Sequence, residues 1–139
     1  MSYFFQRRPL DLPAATLPQD ITGSWADVGS YIDVKDYSEI TFAITVDINS
    51  SENVRFRCVS TLENSGTPTE YVSTIATVSA SNIAIEDEFI ELTDDADQSF
   101  LVTFKPKTPY IKLQVQAGTV GATAGQVDAV KTIAAVMPS

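Results

Sequence analysis

One segment in the first half of the chain alternates without a fault between apolar side chains and polar or small ones. In Ile40–Ile48 every second residue is Ile, Phe or Val, while Thr41, Thr45 and Asp47 lie between them. Successive side chains of a β-strand point to opposite faces, whereas a helix repeats about every 3.6 residues. The segment therefore predicts a strand with one buried face and one wet face, and it is the strongest local signal in the chain.

The same two-residue period recurs in two later segments, and each is expected to keep one face in water. Val54–Cys58 has Arg55 and Arg57 on its polar face, and Ile111–Ala117 has Lys112 and two glutamines there. Weaker patterns mark further candidate strands at Tyr31–Lys35, Glu70–Val78, Ile83–Leu92, Phe100–Phe104 and Gln126–Val136.

Composition agrees with a chain made of strands. Val, Ile and Thr supply 39 of the 139 residues, a bias that suits pleated sheets. Clusters of Asn, Asp, Ser, Gly and Pro separate the candidate strands, as turns require. We predict an all-β antiparallel β-sandwich of about eight strands, jelly-roll-like. Ala124–Val136 contains enough Ala to permit a helix, although its alternation favours a strand.

The first 24 residues read differently from the rest. They contain three prolines and several large apolar residues but show no alternation. We predict an extended N-terminal arm at residues 1–24, without strands, followed by a β-sandwich domain at residues 25–139. A frayed terminus is the alternative. If the arm docks on a partner, the expected anchors are Tyr3, Phe4, Phe5, Leu10 and Leu12.

The content of ionisable residues excludes several classes of function. The chain has no His and one Cys, Cys58, which rules out His-based acid–base catalysis, Cys–His nucleophiles, His-ligated zinc and internal disulfides. We expect no enzyme and no cofactor. Nine basic and 18 acidic residues leave a net charge of −9, which opposes nucleic acid and anionic membranes as partners. Cys58 alternates with Val54 and Phe56, which favours a buried apolar role.

An acidic run at Glu86–Asp97 is the best metal candidate in the chain. Asp94, Asp95 and Asp97 are a weak candidate site for Ca²⁺, which prefers oxygen ligands. The run lacks the Gly and the final Glu that a Ca²⁺-binding EF-hand loop requires. A solvated loop is the favoured interpretation, and we expect no metal site.

Three further sets of residues suggest contacts with a ligand or a partner. Trp25, Tyr31 and Tyr71 are candidate stacking surfaces for a ligand, although the favoured interpretation of Trp25 is a plug over the end of the core. Small residues in Gly118–Gly125 let another backbone approach closely, as in contact with a partner, although a flexible hairpin is the favoured interpretation. The cations Arg55, Arg57, Lys105 and Lys107 suit ion pairs, either within the chain or with a neighbouring copy.

The arrangement of Trp25–Val34, Glu39–Ile48 and Gly125–Val136 behind an apolar arm resembles small jelly-roll virion proteins of tailed bacteriophages. The resemblance implies a non-catalytic capsid decoration or auxiliary head protein that stabilises a larger protein shell by docking. It also implies self-association, with a trimer favoured, and a location in the virion after synthesis in the host cytoplasm. Consistent with this, no segment fits a secretion signal or a membrane span.

A second hypothesis remains open from the residues themselves. The candidate stacking aromatics also suit a carbohydrate-binding or host-recognition β-sandwich module.

Overall fold

The computed structural model describes residues 6–10, 12, 15–48, 53–73, 75–78, 83–85, 88–92, 98–118 and 125–136. All secondary structure in these residues is β-strand, so no helix among them is long or apolar enough to cross a membrane. The twelve strands are β1 (Gln6–Leu10), β2 (Gln19–Ile21), β3 (Ala26–Asp33), β4 (Tyr37–Ile48), β5 (Val54–Thr61), β6 (Tyr71–Val72), β7 (Ile75–Val78), β8 (Ile83–Ile85), β9 (Ile90–Leu92), β10 (Gln98–Phe104), β11 (Tyr110–Ala117) and β12 (Gly125–Val136).

The strands form two antiparallel sheets that pack as a sandwich. The first sheet has the order β1-β12-β4-β10-β7, with β2 also paired to β12. The second has the order β3-β11-β5-β9-β8, with β6 also paired to β5. Pairing is nested along the chain, because β3 joins β11, β4 joins β10 and β5 joins β9. Successive pairs alternate between the sheets, which is the winding of a jelly roll.

The predicted all-β, jelly-roll-like sandwich is therefore confirmed, but the strands are more numerous than about eight. The predicted strand at Glu70–Val78 is divided into β6 and β7, and that at Ile83–Leu92 is divided into β8 and β9. The ambiguous segment Ala124–Val136 forms the strand β12 rather than a helix.

The core lies between the two sheets and consists of the alternating apolar side chains. In β4 the five large apolar side chains at alternate positions of Ile40–Ile48 are at most 2% exposed. Edge-on ring contacts join the strands of the core, with centres 5.9 Å apart for Phe42 and Phe104 and 5.7 Å for Phe56 and Phe100. Each such buried side chain contributes roughly 1.5 to 3 kcal/mol relative to exposure, so the period of two determines which face turns inward.

The beginning of the chain pairs with the free edge of β12. Leu10 of β1 lies opposite Thr132 of β12, and Ile21 of β2 lies opposite Gly125 of β12. The two short strands thus run along opposite ends of the same long strand. Our prediction of an arm without strands is wrong at these two places, because pairing here satisfies backbone groups that an open edge would leave unpaired.

Apolar contacts also hold this part of the chain. Leu10, Leu12 and Leu17 are partly buried and pack against the core. Pro9 occupies the edge strand β1, where its missing N–H group costs no hydrogen bond within the sheet. Two of the five predicted docking anchors, Leu10 and Leu12, therefore contact their own domain.

The two glycines that flank the small-residue segment approach backbone of the same chain. Gly125 has a φ of +134°, and an added Cβ would lie 1.9 Å from the carbonyl oxygen of Asp47. An added Cβ at Gly118 would lie 3.0 Å from the Cβ of Asn53. The close approach predicted for Gly118–Gly125 therefore occurs within the domain at both ends of the segment.

We expect Gly125→Ala to destabilise the protein by at least about 3 kcal/mol, because the methyl group meets backbone and the positive φ disfavours any L side chain. Gly66→Ala is the matched control: Gly66 has a φ of +69° with nothing within 4 Å of an added Cβ. That control is expected to cost about 1 kcal/mol from backbone strain alone. Urea unfolding measures the free energy of unfolding of both variants, and equal losses would contradict the steric role of Gly125.

Candidate functional site

The outer face of the second sheet carries a buried lysine that is held by two carboxylates. Lys112, on β11, is 7% exposed. Its Nζ lies 2.7 Å from Glu70 Oε2 and 3.2 Å from Asp27 Oδ1. The same Nζ lies 4.5 Å from the centre of the Tyr31 ring, and the Tyr31 hydroxyl donates a 2.9 Å hydrogen bond to Glu70. These groups replace the water that the ammonium loses on burial.

Polar side chains on the neighbouring strands extend this arrangement. Gln114 donates a 2.9 Å hydrogen bond to Asp27 Oδ1 and accepts a 2.8 Å hydrogen bond from Arg57 Nε. The contacts join β3, β11 and β5 across the outer surface. We call the set the outer-face network; its members are Asp27, Tyr31, Glu70, Lys112 and Gln114.

The prediction that this face would be wet is wrong at its centre. Lys112 is 7% exposed and Gln114 is 6% exposed. Val59, which pairs with Lys112, is only 2% exposed. A sequence signal did exist, because Val59 directly follows Cys58 and so puts an apolar side chain at an outward position. Glu70 and Tyr31 lie against this part of the face and cover it. The two-residue period of a single strand does not reveal that residues of other segments will cover one of its faces.

Hydrogen bonding determines the protonation states in the network. Burial by itself lowers the pKa of Lys112, but hydrogen bonds to Glu70 and Asp27, with their negative charges, outweigh it and raise the pKa above 10.5. Burial and the hydrogen bond to Glu70 raise the pKa of Tyr31 above 10.0. Lys112 is therefore a cation and Tyr31 a neutral donor at neutral pH.

Two arginines of β5 stack on aromatic rings beside the network. The Arg57 guanidinium lies 4.1 Å from the centre of the Trp25 ring, and burial lowers the pKa of Arg57. The Arg55 guanidinium lies 4.9 Å from the Phe89 ring centre, and its Nε is 2.7 Å from Glu91 Oε2. The Trp25 and Phe89 ring centres are 6.4 Å apart. Cation–π contacts of this kind stabilise a surface, so both arginines act within the chain.

The three candidate stacking aromatics do not form one site. Trp25 and Tyr31 lie on the outer face of the second sheet, and a cation already occupies one side of each ring. Trp25 contacts Arg57 and Phe89 there, and its favoured role as a plug over the end of the core stays a prediction. Tyr71 lies apart on β6 and is 55% exposed. Of the three, Tyr71 offers the most open ring.

Tyr71 lines a cleft at the end of the sandwich where β5 and β10 finish. The cleft has a volume of about 200 Å³. An adjoining cleft of about 210 Å³ shares Tyr71 and is also lined by Leu62 and Glu63. We call the first the end cleft; it is lined by Ser60, Tyr71, Val72, Ser73, Lys105, Lys107 and Thr108.

The lysines of the end cleft differ from the other cations near them. Lys35 forms an ion pair with Asp33 at 3.3 Å, and Arg55 and Lys112 form the remaining ion pairs of the described residues. Lys105 and Lys107 are exposed, and neither pairs with a carboxylate in the described part of the chain. Intramolecular pairing is thus confirmed for Arg55, whereas for Lys105 and Lys107 it stays a prediction.

The remaining predicted site residues have separate outcomes. Cys58 is fully buried, which confirms its apolar role and raises the pKa of its thiol well above 9.0. Among the described residues no group of three or more Cys, Asp or Glu side chains is placed to hold a metal ion. Six predicted site residues lie outside the described residues: the arm anchors Tyr3, Phe4 and Phe5 and the weak Ca²⁺ candidates Asp94, Asp95 and Asp97.

Comparison with known proteins adds no assignment to this geometry. No protein-family model matches the chain, and no curated protein is significantly similar to it.

We expect Lys112→Met to lower the free energy of unfolding by about 1 to 2 kcal/mol at neutral pH, because it leaves Asp27 and Glu70 without their cation. This difference from the native chain should shrink in alkali. Below pH 10.5 both the folded and the unfolded chain carry the lysine charge, and the stabilisation is complete. As the pH rises through the raised folded-state pKa, the stabilisation is lost.

Urea unfolding of both proteins at about pH 8 and about pH 11 measures this loss. Lys131→Met, at an exposed lysine of β12, is the control and is expected to have little effect at either pH. If Lys112→Met lowers the free energy of unfolding by the same amount at both pH values, the role of the Lys112 charge is contradicted.

Proposed function

We propose that the protein is a non-catalytic structural protein that stabilises a larger shell by docking. In this proposal it is a virion component of the capsid decoration or auxiliary head type, made in the host cytoplasm. It associates with itself, with a trimer favoured, and it acts without nucleic acid, membrane or cofactor as partner.

An exposed apolar patch at the end of the sandwich carries the proposal. Leu62 is 67% exposed, Tyr71 is 55% exposed and Val72 is 38% exposed. Leu62 and Tyr71 line one cleft, while Tyr71 and Val72 line the next, so the three residues lie around two adjoining clefts. Adjoining exposed apolar side chains on a small domain are typical of protein contacts.

The fold and the outer-face network support a role in adhesion. Jelly rolls include viral capsid domains, although this is an argument from architecture alone. Lys112 and Arg55 are held in ion pairs within the chain, an arrangement that stiffens the sheet. Since Leu10 and Leu12 pack against their own domain, the arm anchors left to the proposal are Tyr3, Phe4 and Phe5.

We expect light scattering of the native chain to give a multiple of its 15.1 kDa mass, with a trimer favoured. Leu62→Ser with Val72→Ser should reduce this mass while leaving the fold intact, because both side chains are exposed. Replacing Tyr3, Phe4 and Phe5 by Ser tests the arm in the same way. Leu101→Ser is the control, at an exposed apolar residue on the first sheet.

Two results would contradict the proposal. A native chain that stays monomeric at high concentration would contradict self-association. Immunogold labelling of purified virus particles with an antibody against the protein tests the location, and unlabelled particles would contradict the role in the virion.

A second function is favoured by one observation. The open ring of Tyr71 beside a cleft suits a carbohydrate-binding or host-recognition module, since sugars stack on exposed aromatic rings.

A further inference from the structure

The end cleft of this strongly acidic protein presents two lysines that form no ion pair with any carboxylate among the described residues. The net charge is −9, and the chain has only nine basic residues. Lys105 and Lys107, on either side of Pro106, both line the cleft. The cleft therefore concentrates positive charge locally, which attracts an anionic group of a ligand.

The hydroxyl groups of the cleft have unused hydrogen-bonding capacity. Thr108 Oγ1 donates a 3.0 Å hydrogen bond to the carbonyl oxygen of Tyr110, so its oxygen can still accept. Ser60 and Ser73 share a hydrogen bond through their Oγ atoms, which leaves one of the two hydroxyls with a proton to donate. Together with the ammonium groups, these hydroxyls offer both donors and acceptors, as recognition of a polyhydroxylated ligand requires.

The remaining wall of the cleft is aromatic and apolar. Tyr71 is 55% exposed and Val72 is 38% exposed, so the ring is accessible for stacking. The volume of about 200 Å³ is below the usual range of about 300 to 1,000 Å³ for drug-sized ligands. A cleft of this size suits one sugar ring lying on the tyrosine.

We propose that the end cleft binds a single carboxylate-bearing sugar unit, of the uronic acid or sialic acid type, at the terminus of a saccharide. The sugar ring stacks on Tyr71, the carboxylate lies between Lys105 and Lys107, and Thr108 accepts a hydrogen bond from a sugar hydroxyl. This site rests on the second, carbohydrate-binding function and names its ligand class, and it shares Tyr71 and Val72 with the docking patch.

The charges of the molecule favour a carboxylate over a phosphate. A doubly charged phosphate meets about twice the long-range repulsion from the net charge of −9 that a singly charged carboxylate meets. The described lining contains no arginine, whose planar fork is the preferred bidentate partner of phosphate. Two lysines suit a monoanion held mainly by charge.

NMR titration of the ¹⁵N-labelled native chain tests the site directly. The probes are glucuronic acid, galacturonic acid and N-acetylneuraminic acid, with glucose as the neutral sugar and acetate as the bare carboxylate. We expect one or more acidic sugars to shift the amide signals of Tyr71, Lys105 and Lys107 with a Kd of about 1 mM. Added salt should weaken binding by screening the lysines, and both glucose and acetate should bind at least roughly tenfold more weakly.

Variants then assign the contributions of the side chains. Lys105→Gln with Lys107→Gln should weaken binding of the acidic sugar roughly tenfold and remove most of the salt dependence. Tyr71→Ala should weaken it by a similar factor, roughly tenfold, through loss of stacking. Lys131→Gln, at an exposed lysine of β12, is the matched control and should leave the Kd unchanged.

Several outcomes would overturn the proposal. Absence of shifts in the native chain with all three acidic sugars at tens of millimolar would exclude the site, as would shifts confined to other residues. Equal effects of acetate, or of a short polyglutamate peptide, would mean that the cleft recognises carboxylates without the sugar. Loss of sugar binding by the lysine variant only together with a fall in its light-scattering mass would mean that the lysines act through self-association and not through contact with the sugar.

Discussion

The apolar layer between the two sheets is the constraint on which the rest of the structure depends. It exists because every long strand turns alternate side chains inward, as Phe42 of β4 and Phe56 of β5 do. Facing sheets pack about 10 Å apart, so the space between them is filled by side chains. Polar chemistry is therefore confined to the outer faces and to the ends of the sandwich.

The outer face and the end of the sandwich use their charges in different ways. Lys112 is buried on the outer face, where it contacts Asp27 and Glu70, and removing it would leave both carboxylates without their cation. Lys105 and Lys107 stand at the end, where the core has stopped and solvent reaches them. The first arrangement holds strands together, and the second leaves charge available to a ligand or partner.

Sequence reasoning succeeded where the information was local to one strand. The alternation in Ile40–Ile48 correctly predicted a strand and its buried face. Sequence reasoning failed where two distant segments decide the outcome, as when Leu10 lies opposite Thr132. For the end cleft, Tyr71 was recognised as a stacking candidate, but its proximity to Lys105 and Lys107 arises only when β6 and the segment after β10 meet at one end.

The amino-acid sequence by itself determined the all-β class, the inward face of the long strands, the burial of Cys58 and the absence of histidine chemistry. These properties follow from side-chain period and residue content, which need no knowledge of neighbours. Only the tertiary structure decided that Lys112 is enclosed, that Gln6–Leu10 pairs with β12 and that two lysines without an ion pair among the described residues lie beside Tyr71. Each of these depends on which strands become neighbours, and the burial and charge of a residue are set by those neighbours rather than by its own segment.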